Sequence, residues 1–211
     1  MPAMFDVKQQ INAVSRRVGS RTLEAGEART VTVSQTYDTD LDDLWEAVTT
    51  AERIARWFLP VTGELKLGGH YQLQGNAGGT VTACDAPRAF DATWEMGDQV
   101  SWIEVRLSAV DGGTLFELHH IAVVGEHWDT YGPGAVGIGW DGAVLGLAMY
   151  LATGAGMTPE AAAEWMTSPE AKEFYTASGR QWIEADIASG ADPAKATEVG
   201  ERTIGFYTGA P

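Results

Sequence analysis

The chain has four histidines and a single cysteine, so few side chains are available for metal, nucleophilic or proton-transfer chemistry. His119, His120 and His127 lie near one another, but their spacing places no two on a shared helical face. No cysteine or paired carboxylate stands beside them, so ordinary metal-ligand spacing is missing and no metal or other cofactor is expected. Cys84 falls near a turn with Arg88 as its flanking cation and reads as an inert thiol. One cysteine also excludes an internal disulfide. There is no Gly-x-Ser-x-Gly, phosphate loop or dinucleotide fingerprint, and no serine or cysteine sits next to a predicted base. His120 is what remains. It alternates with Leu118 on the predicted inward side of a strand, while His119 points the other way, toward solvent. A histidine among apolar side chains orients a ligand hydroxyl or carbonyl, or takes a proton as a general base. The plainer reading is a core imidazole satisfied by hydrogen bonds.

The richest set is aromatic: Trp57, Phe58, Tyr71, Phe90, Trp94, Phe116 and Trp140. Flat rings around a concave surface stack an apolar guest and remove it from water. Taken one by one, each ring is better explained as core filling; taken together, the set favours a cavity. With Leu118, His120, Val144, Leu147 and Leu151 they form the expected lining of a ligand site. Burying a few hundred Å² of guest is worth roughly several kcal/mol before association costs.

The charges point elsewhere. A formal net charge of −15 argues against nucleic acid, which needs a basic stripe, and against an anionic membrane. Its ordinary meaning is solubility. Glu95 and Glu104 fall on the polar face of neighbouring strands, where Arg106 is their expected partner. Asp141 is the first charge in a long apolar segment and reads as structural, with the mouth of a cavity as the other place for it.

These side chains need elements to position them. Val7, Ile11, Val14 and Val18 recur at helical spacing over residues 6–18, and residues 20–28 read as a polar linker. Residues 30–37 alternate as a strand. From Asp40, Leu44, Val48, Ile54 and Trp57–Phe58 share one helical face, broken at Thr49–Thr50 into two short helices. From Pro60 the period becomes two. Apolar alternation at Leu65 and Leu67, Tyr71 and Leu73, Val81 and Ala83, Phe90 to Trp94, Ile103 to Leu107, and Phe116 to His120 describes six strands. Turns come about every ten residues, the rhythm of an antiparallel meander. Gly-Gly pairs at 68–69, 78–79 and 112–113 are read as hairpin turns. One face of every strand is apolar and must be covered. The cover is residues 133–153, where Trp140, Val144, Leu147 and Leu151 form a stripe and Ile138, Leu145 and Met149 extend it. That segment is apolar enough to raise a membrane span, yet Asp141 and its small residues favour a buried helix. Thr158-Pro159-Glu160 and Ser168-Pro169-Glu170 read as helix starts, giving helices over 159–166, 169–189 and 192–206, with Trp165, Phe174, Trp182 and Ile183 as anchors.

The order strand, two short helices, six strands, long helix is the helix-grip order, and local residues strengthen the match. Residues 37–48 resemble the strand end and first helix of the START-like (SRPBCC) superfamily, and residues 51–60 its second helix, which ends in Trp-Phe. Residues 79–88 resemble its G-x-V-x-x-x-D-P-P hairpin, with Ala86 in place of the first proline. Thr93-Trp94-Glu95 fits the next strand and Gly137-Ile138-Gly139-Trp140 the start of the long helix. Within that superfamily the chain resembles the branch named for homologues of the activator of heat shock protein 90 ATPase, which includes bacterial polyketide cyclase-like proteins. The resemblance covers residues 29–153.

It implies an α+β helix-grip fold: a curved antiparallel sheet of six or seven strands wrapped around a long C-terminal helix, with extra N- and C-terminal helices. The expected organisation is an N-terminal helix and linker over 1–28, the START-like domain over 29–153 and a helical extension over 154–211. It further implies a cavity between sheet and long helix, gated by residues 57–60 and the 124–133 loop. Such cavities hold lipids, polyketides or aromatic compounds, and the partner expected is a small apolar ligand. A cyclase or aromatase using His120 is the enzyme alternative, and a chaperone-activator-like interaction protein the third. The terminal helices suggest a homodimer. Without an apolar signal core at its start, the chain is expected in the cytoplasm.

Overall fold

The computed structural model describes residues 6–209. Its elements run α1 (Val7–Ala13), β1 (Ser15–Leu23), β2 (Gly26–Tyr37), α2 (Leu41–Thr49), α3 (Ala51–Trp57), β3 (Val61–Gly63), β4 (His70–Leu73), β5 (Gly78–Asp85), β6 (Ala89–Met96), β7 (Gln99–Val110), β8 (Gly113–Val123), α4 (Glu126–Tyr131), α5 (Gly134–Thr153), α6 (Pro159–Met166), α7 (Pro169–Ala188) and α8 (Pro193–Thr208). The strands make one curved antiparallel sheet of eight in the order β1-β2-β8-β7-β6-β5-β4-β3. The alternation that predicts β7 and β8 is the one that buries them: Ile103, Val105 and Leu107 face inward with Phe116, Leu118 and His120.

Four local expectations need correction. The N-terminal helix ends at Ala13, and residues 15–23 form a strand whose hairpin partner begins at Gly26. Val14, Arg16 and Val18 fit a period of two as well as Val14 and Val18 fit a helix. The polar run after them is a sheet edge, where arginine, serine and threonine meet water, so the expected linker is a hairpin. Leu65 and Leu67 belong to no strand. They lie between β3 and β4, and Leu67 is 63% exposed. Gly78 and Gly79 lie inside β5 rather than at a turn. The turn before them uses Gly75 at φ 67°, while a Cβ on Gly79 would stand 2.1 Å from the Thr93 carbonyl oxygen. Here glycine serves close approach between strands. The expected 124–133 loop also contains a short helix, α4.

The chain divides into two compact units, and the long helix α5 contributes to both. The first comprises described residues up to Val33, then Val123–Leu145, then residue 157 onward. Its C-terminal helices start as their sequences predict. Thr158, Ser168 and Asp192 each accept a hydrogen bond from a backbone N–H three residues on, and proline follows each cap. Ala171, Phe174, Ser178 and Trp182 form the buried face of α7. Ile11, Val14, Phe174 and Trp182 are all buried within their own chain, so these anchors need no second copy to cover them.

At the centre of this unit lies a buried ion pair. Asp141 is fully buried and accepts from Arg16 Nε at 2.9 Å, from Trp182 Nε1 at 2.9 Å and from the Ser178 hydroxyl. Arg16 Nη1 donates to the carbonyls of Ile11 and Val14, both at 3.0 Å. Asp141 is therefore structural. It also gives a physical account of α5, which is long and apolar enough to cross a membrane. A helix whose carboxylate receives three side-chain donors from β1 and α7 is placed as a core helix.

The second unit comprises Ser34–Ala122 and Gly146–Gly156. It holds most of the sheet, helices α2 and α3, and the C-terminal end of α5 from Gly146.

Candidate ligand site on the apolar face of the sheet

The register of the sheet builds the candidate site. Phe90 faces Val105, Ala92 faces Ile103, and Trp94 faces Ser101. Across the next ladder Ile103 faces His120, Val105 faces Leu118, and Leu107 faces Phe116. Period-two alternation sends all these side chains to one side. Ala92, Ile103, Val105, Leu107, Phe116, Leu118 and His120 are buried, whereas Phe90, Trp94 and Ser101 keep part of their surface open to water. Trp45 of α2 meets Phe90 edge-on at 6.2 Å.

Helix α3 is fixed by polar bonds, with no buried side chain of its own. Trp57 Nε1 donates to the Ala47 carbonyl at 2.9 Å, and Trp57 stacks on Phe58 at 5.6 Å. Arg53 Nη1 donates to the Asp43 carboxylate at 2.8 Å, and Arg53 Nε to the Tyr150 hydroxyl at 2.9 Å. The Thr39 hydroxyl, and after it Arg53, hold the Asp43 carboxyl below its ordinary range. Glycine lets α5 come close: a Cβ on Gly146 would lie 2.3 Å from the Trp57 carbonyl oxygen.

Thr114 and His120 are the buried polar side chains on the inward side of β8. His120 is 4% exposed, its Nε2 lies 3.0 Å from Ser101 Oγ, and its ring meets Trp94 edge-on at 6.1 Å. Ser101 Oγ donates to the Trp94 carbonyl at 3.0 Å. A hydroxyl has one proton to give, so this network assigns the histidine proton to Nε2, which donates to Ser101. Burial pushes the imidazole pKa down to about 4, because desolvation disfavours the charged ring. His120 is neutral at pH 7. Tyr71, half-buried on β4, donates to the Thr93 carbonyl at 2.6 Å, and burial raises its phenol pKa.

With that geometry in hand, comparison with known proteins places the chain. Residues 38–152, more than half of it, match the family described as Activator of Hsp90 ATPase homolog 1-like protein. The chain belongs to this family. The crystal structure of CalU16 from Micromonospora echinospora is 34% identical, with a TM-score of 0.67 over 82% of this chain and 98% of that one. The solution structure of CalU16 aligns over 94% of each chain at 29% identity and a TM-score of 0.62. DynU16, a protein of the dynemicin biosynthetic locus, shares the fold at 20% identity and a TM-score of 0.55, over 60% of this chain and 48% of that one. No curated protein matches the chain.

Of the twelve side chains expected to line a site, Trp57, Phe58, Tyr71, Phe90, Trp94, Phe116, Leu118, His120, Leu147 and Leu151 fall in one compact unit, while Trp140 and Val144 belong to the other. Trp140, Val144 and Leu147 are buried and Leu151 is half-buried. The expectation that no serine accompanies a base is overturned by Ser101. The signal was present: Ser101 stands two residues before Ile103, on the same alternating face. Arg16 had no comparable signal, because Asp141 is 125 residues away, and neither did the bond from Arg53 Nε to Tyr150, 97 residues on. Arg106 pairs with Asp91 and, at 3.7 Å, with Glu104, as expected for Glu104. Glu95 instead accepts from the Thr93 hydroxyl at 2.7 Å. Cys84 is exposed. Among the described residues no three His, Cys, Asp or Glu side chains gather as a metal site.

Proposed function

We propose that this protein binds a small apolar molecule against the inward face of β6, β7 and β8, beside the Gly146–Thr153 end of α5. The observation that carries the reading is the uneven burial of that face. Val105, Leu118 and His120 are closed off, while the large rings of Phe90, Trp94 and Tyr71 keep solvent access. Half-buried rings beside a buried apolar surface, with His120 as a deep polar group, suit an apolar guest held in a defined orientation. The same chemistry speaks against proton-transfer catalysis. An imidazole with a pKa of about 4 is a weak base at neutral pH, and its Nε2 is engaged as a donor. His120 therefore serves recognition, and Trp57 and Phe58 border the site from α3.

Fluorescence titration with N-phenylnaphthylamine tests this reading. Saturable one-site binding is expected, and Ala92→Phe, which fills the face, is expected to abolish it while the protein still melts cooperatively. Absence of binding by the wild-type protein, or full binding by Ala92→Phe, would remove the proposal.

A further inference from the structure

Resting on that binding reading, we infer that the ligand class is narrower: neutral aromatic or polycyclic compounds carrying a hydroxyl or N–H, which donates to Ser101 Oγ. Ser101 and His120 supply the geometry. A serine hydroxyl offers one donor and two acceptor sites. Its proton goes to the Trp94 carbonyl, and one acceptor site receives His120 Nε2–H. Among the described residues these are the hydrogen bonds of Ser101 Oγ, so one acceptor site is left. Ser101 itself is half-buried rather than closed off.

Charge narrows the class further. The inward positions of β6, β7 and β8 carry no charged side chain, and His120 is neutral at pH 7. A carboxylate or sulfonate brought here would lose its water without gaining a counter-ion, which weakens its binding. A net charge of −15 repels anions from a distance as well. A ligand with acceptors alone, such as an ether, would set its lone pairs against those of Ser101 Oγ. A phenol-type group satisfies both conditions: it is uncharged, and it donates.

Three probes of one shape separate these effects: naphthol, its methyl ether and naphthoate, each titrated by calorimetry at pH 7. Naphthol is expected to bind about tenfold more tightly than the ether, from the hydrogen bond the ether cannot make. Naphthoate is expected to bind about a hundredfold more weakly than naphthol, from uncompensated desolvation. Ser101→Ala is expected to erase the preference for naphthol over the ether, and Ser101→Thr, which keeps a hydroxyl, to retain it. Equal affinities for naphthol and ether, naphthoate binding as tight as naphthol, or an undiminished preference in Ser101→Ala would overturn this inference and leave apolar binding standing. Failure of the folded wild-type protein to bind any of the three would overturn both.

Discussion

At the residue scale, burial settles what each ionisable group does. His120 has its pKa pushed down to about 4, against about 6.5 for a free imidazole. The unfolded chain therefore takes up a proton at His120 as pH falls through about 6.5, while the folded chain refuses it until about pH 4. The stability tied to this histidine is complete above pH 6.5 and is lost on acidification toward pH 4, by up to about 3 kcal/mol. Urea midpoints measured at pH 7 and pH 4.5 check this. His120→Phe should lose less stability between those pH values than the wild-type protein does, and equal losses would contradict it. Asp141 makes the complementary case. Asp141→Ala leaves the Arg16 guanidinium buried without its counter-ion and is expected to cost about 3–5 kcal/mol. The double substitution Arg16→Met with Asp141→Leu should recover much of that in the same unfolding measurement.

At the scale of elements, legibility followed the strength of the periodic signal. Strands β6, β7 and β8 alternate cleanly, and helices α6, α7 and α8 carry proline-marked caps, so the sequence reading matches them closely. β1 was not legible, because an edge strand rich in arginine and serine has no apolar alternation to display. Ser101 was hidden by its type: a small polar residue on an apolar face looks like the end of the pattern rather than a member of it. Gly146 is invisible to periodicity as well, yet it governs how closely α5 meets α3. Gly146→Ala would force a Cβ into the Trp57 carbonyl and is expected to cost about 1–3 kcal/mol. Hydrogen exchange should show the loss first at α3, which has no buried side chain to hold it. Unchanged exchange throughout α3 would contradict this account.

For the whole molecule, the family assignment fixes the fold and leaves the ligand to be argued from the site. The sequence suggested one domain with terminal additions. The chain divides into two compact units, and the N-terminal strand and C-terminal helices build one of them together. Such an arrangement depends on Arg16 and Asp141, which are 125 residues apart, and no local pattern reveals a pairing of that range. Removing residues 154–211 would take Ser178 and Trp182 away from Asp141. The shortened chain is expected to lose cooperative unfolding of that unit, which calorimetry would register as a smaller unfolding enthalpy per residue.

The central claim is that an apolar guest is held on the inward face of β6, β7 and β8. Intermolecular nuclear Overhauser effects between bound naphthol and assigned side-chain methyl groups test it most directly. The account predicts contacts to Ile103, Leu118 and Leu147. Contacts confined to exposed side chains such as Leu67 and Met166, or none at all, would contradict it.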